Sequence, residues 1–328
     1  MAEAVKSSEQ IAREMRLVQD YWGCKPLHYV RYGLFDMELS DEQLLDYIPP
    51  YYFYNYYTSK LSDSIDRTAY RNKQNQYRTF VERGIPTADT VAFIKNGSVT
   101  SVDGTPLELG KLPLADGDKL FVKPAFGKGG TGILAVKKHD GDLYCCNRKI
   151  KADDIADMLD RSGTYVVQYG LKQRSDLSFI NPSSVNTLRV VTQLRDAKPF
   201  MSVCVMRIGR NGKDVDNSHQ GGLSVGVDVD SGRLFPTATA EHGGGTYLQH
   251  PDTGFVFDGF AIEGWERLKG QILDYASRVP EIAELAWDVA VTDKGAVIIE
   301  INLGYGLSHL QCCCGGMRRA LGVYPESR

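Results

Sequence analysis

The chain has 328 residues, with 38 Lys plus Arg against 41 Asp plus Glu and a formal net charge of −3. Apolar residues make up 42% and charged residues 24%, the usage of a globular protein able to bury a large core in one or two domains. That balance argues against binding nucleic acid by bulk charge, and no apolar run nears the roughly 18 residues of a bilayer span. Met1 to Leu17 mixes Lys6, Glu9, Arg13, Glu14 and Arg16 with scattered apolar residues, unlike the apolar centre of a signal peptide, so a cytoplasmic location is expected. The seven cysteines (Cys24, Cys145, Cys146, Cys204 and Cys312 to Cys314) include no CxxC pair, and are expected to be reduced thiols.

Along the chain, the spacing of Ile11, Met15, Val18 and Trp22 predicts a helix over 9–21. Ser40-Asp41-Glu42-Gln43 resembles a helix start, and Pro49-Pro50 ends that helix. The run Tyr51-Tyr52-Phe53-Tyr54-Asn55-Tyr56-Tyr57 is either a packing segment or a face on which a ligand stacks. A helix is predicted over 70–83, closed by Gly84 and Pro86. Strands are predicted over 91–94, 119–123, 132–137, 164–169, 187–194, 200–208 and 223–228, with helices over 153–160 and 262–279. A last hairpin joins strands 287–292 and 296–302 around Asp293-Lys294-Gly295. Paired strands separated by single helices predict α+β lobes with antiparallel sheets rather than a doubly wound domain.

The hairpin carries the strongest chemical signal. If Thr292 faces Ala296, then Asp288 faces Glu300, and Asn302 projects beside Glu300 on the same side. Trp287, Val289 and Val291 then turn to a core. Two carboxylates so close are costly unless neutralised, and such hard oxygen donors suit Mg²⁺ with phosphate completing the shell. A register slip of one residue would separate the two acids and leave an ordinary exposed hairpin.

The second signal is Phe121 to Gly132, a strand running through Lys123-Pro124 into a glycine-dense loop and a second strand. Glycines let backbone amides approach phosphate, and Lys123 supplies a point charge. The loop is neither GxxxxGK[ST] nor a GxGxxG that opens a helix, and alone it is equally a flexible β-turn. Third, Tyr165 to Leu171 reads as a buried strand entering a loop, where Gln168 and backbone groups could meet an adenine edge.

In this order, the elements resemble the ATP-grasp superfamily. Asn72-Lys73 with Gly84-Ile85-Pro86 is similar to its opening segment. Lys123 matches its strand lysine, Gly127 to Gly132 its phosphate-covering loop, Gln168 to Leu171 its adenine hinge, and Asp288, Glu300 and Asn302 its D…ExN metal triad. Ser184 to Thr192 and Asn217 to Gly222 resemble the sugar-transfer-associated, glutamate-ligase-related branch. The resemblance covers roughly residues 70 to 316, while about 70 helical, Tyr-rich residues stand where most family ligases carry a Rossmann-like domain. It implies an α+β ATP-grasp fold whose two lobes grip ATP: a helical segment 1–70, an N-lobe 71–163 and a C-lobe 164–328.

The resemblance also implies an ATP- and Mg²⁺-dependent carboxylate–amine (or thiol) ligase working through an acyl phosphate, on small molecules such as a sugar acid or an amino-acid carboxylate of polysaccharide or peptide biosynthesis. An ATP-grasp kinase acting on a hydroxyl and a non-catalytic nucleotide-binding module are the alternatives. Carried over, Lys73 and Lys123 bind the phosphates under Gly129, Gly130 and Thr131. Gln168, Tyr169 and Leu171 hold adenine, Asp176 the ribose, and Asp288, Glu300 and Asn302 one or two Mg²⁺. Arg189 neutralises the transferring group or the substrate carboxylate, with Arg207 and Asn217 as further candidates. His219 is either a proton acceptor for the amine or a surface residue, and His242 to Thr246 a loop that closes or merely connects.

Overall fold

The computed structural model describes residues 6–62, 67–70, 72–127, 129–213, 221–240 and 245–325. Two antiparallel sheets of seven strands form its frame. The first contains β1 (Thr90–Lys95), β2 (Ser98–Ser101), β3 (Lys119–Pro124), β4 (Leu134–His139), β5 (Asp142–Cys145), β6 (Arg148–Ile150) and β7 (Thr164–Tyr169), in the order β2-β1-β7-β3-β4-β5-β6. The second contains β8 (Thr187–Arg195), β9 (Lys198–Ile208), β10 (Leu223–Val227), β11 (Leu234–Ala240), β12 (Thr246–Tyr247), β13 (Glu284–Thr292) and β14 (Gly295–Asn302), in the order β12-β11-β10-β9-β8-β13-β14. The α+β expectation therefore holds. The short strands β2, β5, β6 and β12 escape the periodicity because two to four residues are too few to show it. The helix expected over 153–160 shrinks to one turn, Asp154–Asp157.

Opposite faces of the second sheet bury different things. Leu188, Val190, Cys204, Met206, Trp287, Val289 and Val291 share a core with the helix Trp265–Ser277. On the other face Val191, Val203, Val205 and Ala286 share a second core with Val18, Trp22, Leu44, Ile48 and Phe53 from the N-terminal helices. The helices form where their caps say they should. Ser7 caps Ser8–Trp22, left-handed Gly23 closes it, and Ser40 with Gln43 completes a capping box on Asp41–Leu45.

One side of the tyrosine run packs inward while Tyr51, Tyr54 and Tyr56 stay exposed. Phe53 is fully buried, stacked on Tyr57 and edge-on to Tyr305, while the Tyr54 hydroxyl accepts from the Leu307 amide at 3.0 Å. Gln311 bonds both backbone groups of Ile48, at 2.8 and 2.9 Å. The seven cysteines are all free thiols; Cys312 to Cys314 end the helix Leu307–Cys314.

The last hairpin differs from its expected register and arrives at the expected pairing. Thr292 faces Gly295, not Ala296, so the turn is one residue tighter than the sequence suggests. A bulge between Asp288 and Val289 absorbs the difference, because Val289 faces Ile298 while Asp288 faces Glu300. The extra residue, Ile299, restores the two acids to one face. Among the described residues no helix is long and apolar enough to cross a membrane.

Candidate functional site

Directly paired residues in antiparallel strands share a face, so the second sheet's N-terminal-helix side can be read in rows. Glu284 and Gln193 form the lowest row, followed by Val203, Val191, Ala286 and Asn302. Above these lies a charged row, Arg189, Asp288 and Glu300, and above that Arg207 and Thr187. The N-terminal helices cover the apolar row and leave the charged one at their rim.

Asp288 is only 3% exposed and is gripped by two guanidinium groups. Arg189 forks onto it, with Nη2 hydrogen-bonded to Oδ2 at 3.1 Å and Nε in ionic contact with Oδ1 at 2.5 Å, and Arg207 Nη2 reaches Oδ2 at 3.0 Å. Arg207 is itself steadied by Thr187, whose hydroxyl accepts two of its N–H groups at 3.0 and 2.8 Å. Glu300 receives its cation from the other side of the cleft, with Lys73 Nζ at 3.2 Å. Burial alone would raise the Glu300 pKa; Lys73, Arg189 and Arg207 outweigh it and hold the carboxyl down at about 2.

Lys73 is aimed by its helix. Asn72 caps Lys73–Glu82 by accepting from the Asn75 amide, and Gln76, one turn on, clamps the edge strand β14. Gln76 Oε1 accepts from the Ile301 amide at 3.0 Å, and its Nε2 donates to the Ile301 carbonyl at 3.1 Å. Residues three apart on a helix face the same way, so this clamp sets Lys73 against the neighbouring Glu300. The sequence does not single out Gln76, whose partner lies 225 positions away.

The glycine loop begins beside the same lysine. Lys73 Nζ donates to the Gly127 carbonyl at 3.2 Å, and its amide to Ala125 at 3.1 Å. Gly129 and Gly130 both take left-handed φ (70° and 71°), a succession that only glycine adopts cheaply, with Thr131 exposed after them. On β3, Lys119, Phe121 and Lys123 alternate onto one face, with Lys123 Nζ over the Phe121 ring at 5.6 Å. Gln168 is buried and serves Lys123 by accepting from Nζ at 2.8 Å, while its amide donates to Thr90 at 3.0 Å. It positions the lysine. The Tyr169 hydroxyl is anchored to the Pro113 carbonyl at 2.7 Å. A cavity of about 180 Å³ opens at the hinge, lined by Lys119, Phe121, Gly170, Leu171, Gln173 and Ser184 among others. Phe121 was also passed over, although it lies two residues from Lys123.

Arg174 binds both oxygens of Asp176, at 2.6 and 2.7 Å. Asn217, His219 and His242 to Gly244 lie outside the described residues.

Among the described residues no three His, Cys, Asp or Glu gather as a metal site. The set here is two carboxylates and one amide, hard oxygen donors that suit Mg²⁺. Asn302 fits that role, for its buried Nδ2 has no hydrogen-bond partner, so the amide can turn its oxygen to a cation at little cost. Three cations against two carboxylates leave the cluster positive. It therefore attracts a polyanion, and a divalent cation gains most by arriving with one.

A profile described as "Sugar-transfer associated ATP-grasp" matches residues 52–319. No curated protein sequence matches the chain. Solved structures resemble it at low identity. Carboxyaminoimidazole ribonucleotide synthase from Aspergillus clavatus, complexed with ATP, is 12% identical with a TM-score of 0.41, the match covering 78% of this chain and 52% of that one. For D-alanyl-alanine synthetase A from Vibrio cholerae the values are 16%, 0.41, 77% and 62%. For the L-amino acid ligase from Bacillus licheniformis they are 11%, 0.40, 73% and 42%. The chain thus spans roughly half of the proteins it resembles.

Proposed function

We propose that this chain, which belongs to the sugar-transfer-associated ATP-grasp family, is an ATP-dependent carboxylate–amine ligase acting through an acyl phosphate. The observation that carries the reading is the charged row, where Asp288 and Glu300 are opposed on neighbouring strands and met by Arg189, Arg207 and a lysine from a different element. Phosphoryl transfer depends mainly on positioning and charge neutralisation, and this row supplies both.

In this reading Phe121 and Leu171 take the adenine, and the amides of Gly129, Gly130 and Thr131 cover the triphosphate. Lys123, held by Gln168, and Lys73, one turn before the Gln76 clamp, bind its oxygens. Asp288, Glu300 and Asn302 hold Mg²⁺, which supplies neutralisation of the phosphate charge. A substrate carboxylate oxygen attacks the γ-phosphorus, ADP leaves, and Arg189 and Arg207 receive the charge on the transferring group. The amine nitrogen then attacks the acyl carbon, the C–O bond breaks, and phosphate and a proton leave. The acid of a sugar or of an amino acid is the substrate class, with cytoplasmic polysaccharide or peptide synthesis as the setting.

The test is phosphate release from ATP and Mg²⁺ with candidate acids, with and without amines, and with hydroxylamine as trap. Amine-dependent release and a hydroxamate product support the ligase. A stable phosphorylated product without a hydroxamate replaces it with a kinase.

A further inference from the structure

Exposed apolar side chains are scattered over most protein surfaces and singly carry no message. Around the N-terminal helices of this chain they collect. Leu27, Val30 and Arg31 stand at positions i, i+3 and i+4 of the short helix Leu27–Arg31 and so share its outer side. Leu27 is 75% and Val30 61% exposed, while His28 and Tyr29 between them are buried. The tyrosine segment adds a second group. The Tyr51 and Tyr56 rings lie 6.0 Å apart, Tyr56 stacks on Tyr52 at 5.4 Å, and the Tyr52 hydroxyl donates to the Tyr324 carbonyl at 3.0 Å. Tyr51, Tyr56 and Tyr324 are each about half exposed. The loop after the first helix joins the two groups. Trp22 packs on Tyr52 at 5.1 Å, Cys24 comes within electrostatic reach of Tyr56, and Leu27 follows three residues later.

Charge sets these segments apart from the rest of the chain, whose net charge is slightly negative. From Gly23 to Phe35 the charged side chains are Lys25 and Arg31, both exposed, and burial keeps His28 neutral. From Tyr47 to Ser62 the one charged residue is Lys60. Neither segment contains an acid. Projecting aliphatic side chains, half-exposed tyrosines and cations without acids match the layers of one environment: an apolar interior, a polar boundary that suits amphipathic rings, and a negative surface. We infer that this surface docks the chain on an anionic lipid bilayer. Leu27 and Val30 enter the acyl boundary, Tyr51, Tyr56 and Tyr324 lie at the headgroup level, and Lys25 and Arg31 meet the lipid phosphates. The contact is peripheral and needs no spanning helix. It does not depend on the ligase reading, because none of these residues belongs to the charged row or the glycine loop.

The test is co-sedimentation of the full chain with vesicles of phosphatidylcholine alone and of phosphatidylcholine mixed with phosphatidylglycerol. The chain partitions about tenfold or more in favour of the anionic vesicles, and high salt reduces that uptake. Lys25→Gln combined with Arg31→Gln lowers uptake about tenfold and removes the preference for anionic lipid. Leu27→Asp combined with Val30→Asp lowers it about tenfold or more, through lost apolar burial and added like charge. Both double variants keep the circular dichroism and melting of the parent, because the side chains they change are exposed. No uptake by anionic vesicles, equal uptake by both kinds, or uptake that survives Leu27→Asp with Val30→Asp overturns the proposal. A lipid-free dimer in light scattering that Leu27→Asp with Val30→Asp dissolves also overturns it, since the surface then belongs to a second copy of the chain.

Discussion

Two buried acids on β13 stand four residues apart on the same face and are stabilised in opposite ways. Glu284 lies under the N-terminal helices and meets neutral donors: Tyr57 Oη at 2.6 Å, Tyr305 Oη at 2.8 Å and Gln193 Nε2 at 2.6 Å. Asp288, at the rim, meets Arg189 and Arg207, and its opposite number Glu300 meets Lys73. Burial raises the Glu284 pKa, and the three hydrogen bonds oppose that shift without reversing it. Burial also works against charge at Glu300, yet the cations win there and the pKa falls to about 2. Neutral donors satisfy the lone pairs of a carboxylate but leave most of the desolvation in place, whereas fixed cations overcome it. The first arrangement seals an interface. The second keeps anions charged.

The comparison can be broken most severely at the charged end. Glu300→Ala should abolish ATP turnover while leaving the far-UV circular dichroism and the melting transition of a folded protein; normal turnover in this variant would reject the metal assignment. Arg189→Ala removes the fork from a buried carboxylate and should cost about 3–5 kcal/mol in urea unfolding. Adding Asp288→Asn should recover part of that loss, and strict additivity of the two changes would show that the ion pair is not coupled.

At the neutral end, Glu284→Ala removes the shared acceptor of three donors, of which Tyr57 and Gln193 keep the Leu321 carbonyl, and should cost about 1–3 kcal/mol, whereas Glu284→Gln should stay within about 1 kcal/mol of the parent. The tyrosine hydroxyls can accept from the new amide, and a buried charge is gone. If both variants were equally damaging, the carboxylate charge itself would be holding the interface.

The two acids should also leave opposite slopes in a pH series. Glu300 has a folded pKa below its ordinary value of 4.5. Its contribution is complete above that value and is lost as pH falls through the folded value of about 2. Glu284 has a raised folded pKa, so it binds a proton more readily when folded, and its contribution declines as pH rises above the ordinary carboxylate range. Urea titrations at stepped pH should show Glu300→Gln flattening the acid limb and Glu284→Gln flattening the decline above it.

The smallest effect belongs to the clamp. Gln76→Ala should lower turnover about tenfold through misplacement of Lys73, with about 1–3 kcal/mol of destabilisation at the β14 edge. A loss of stability without a change in turnover would reduce Gln76 to an edge cover.

Local pattern was enough for the strands that frame the site, the Ser40 helix start, the lysine of β3 and the alternation that separates Trp287, Val289 and Val291 from Asp288. Each of these depends on residues within one turn or one strand. The pairing of Asp288 with Glu300 was legible too, although through a wrong turn compensated by the Ile299 bulge, since hydrogen-bond register near a tight turn is decided by packing on both faces. Three things had no local signal: the partnership of Gln168 with Lys123, the clamp of Gln76 on Ile301 and the union of Glu284 with Tyr57. Each joins residues 45 to 227 positions apart. Sequence determined which side chains could neutralise, hydrogen-bond or pack; only the folded chain decided which carboxylate would meet a cation and which a hydroxyl, because that choice depends on what the tertiary structure carries to each end of β13.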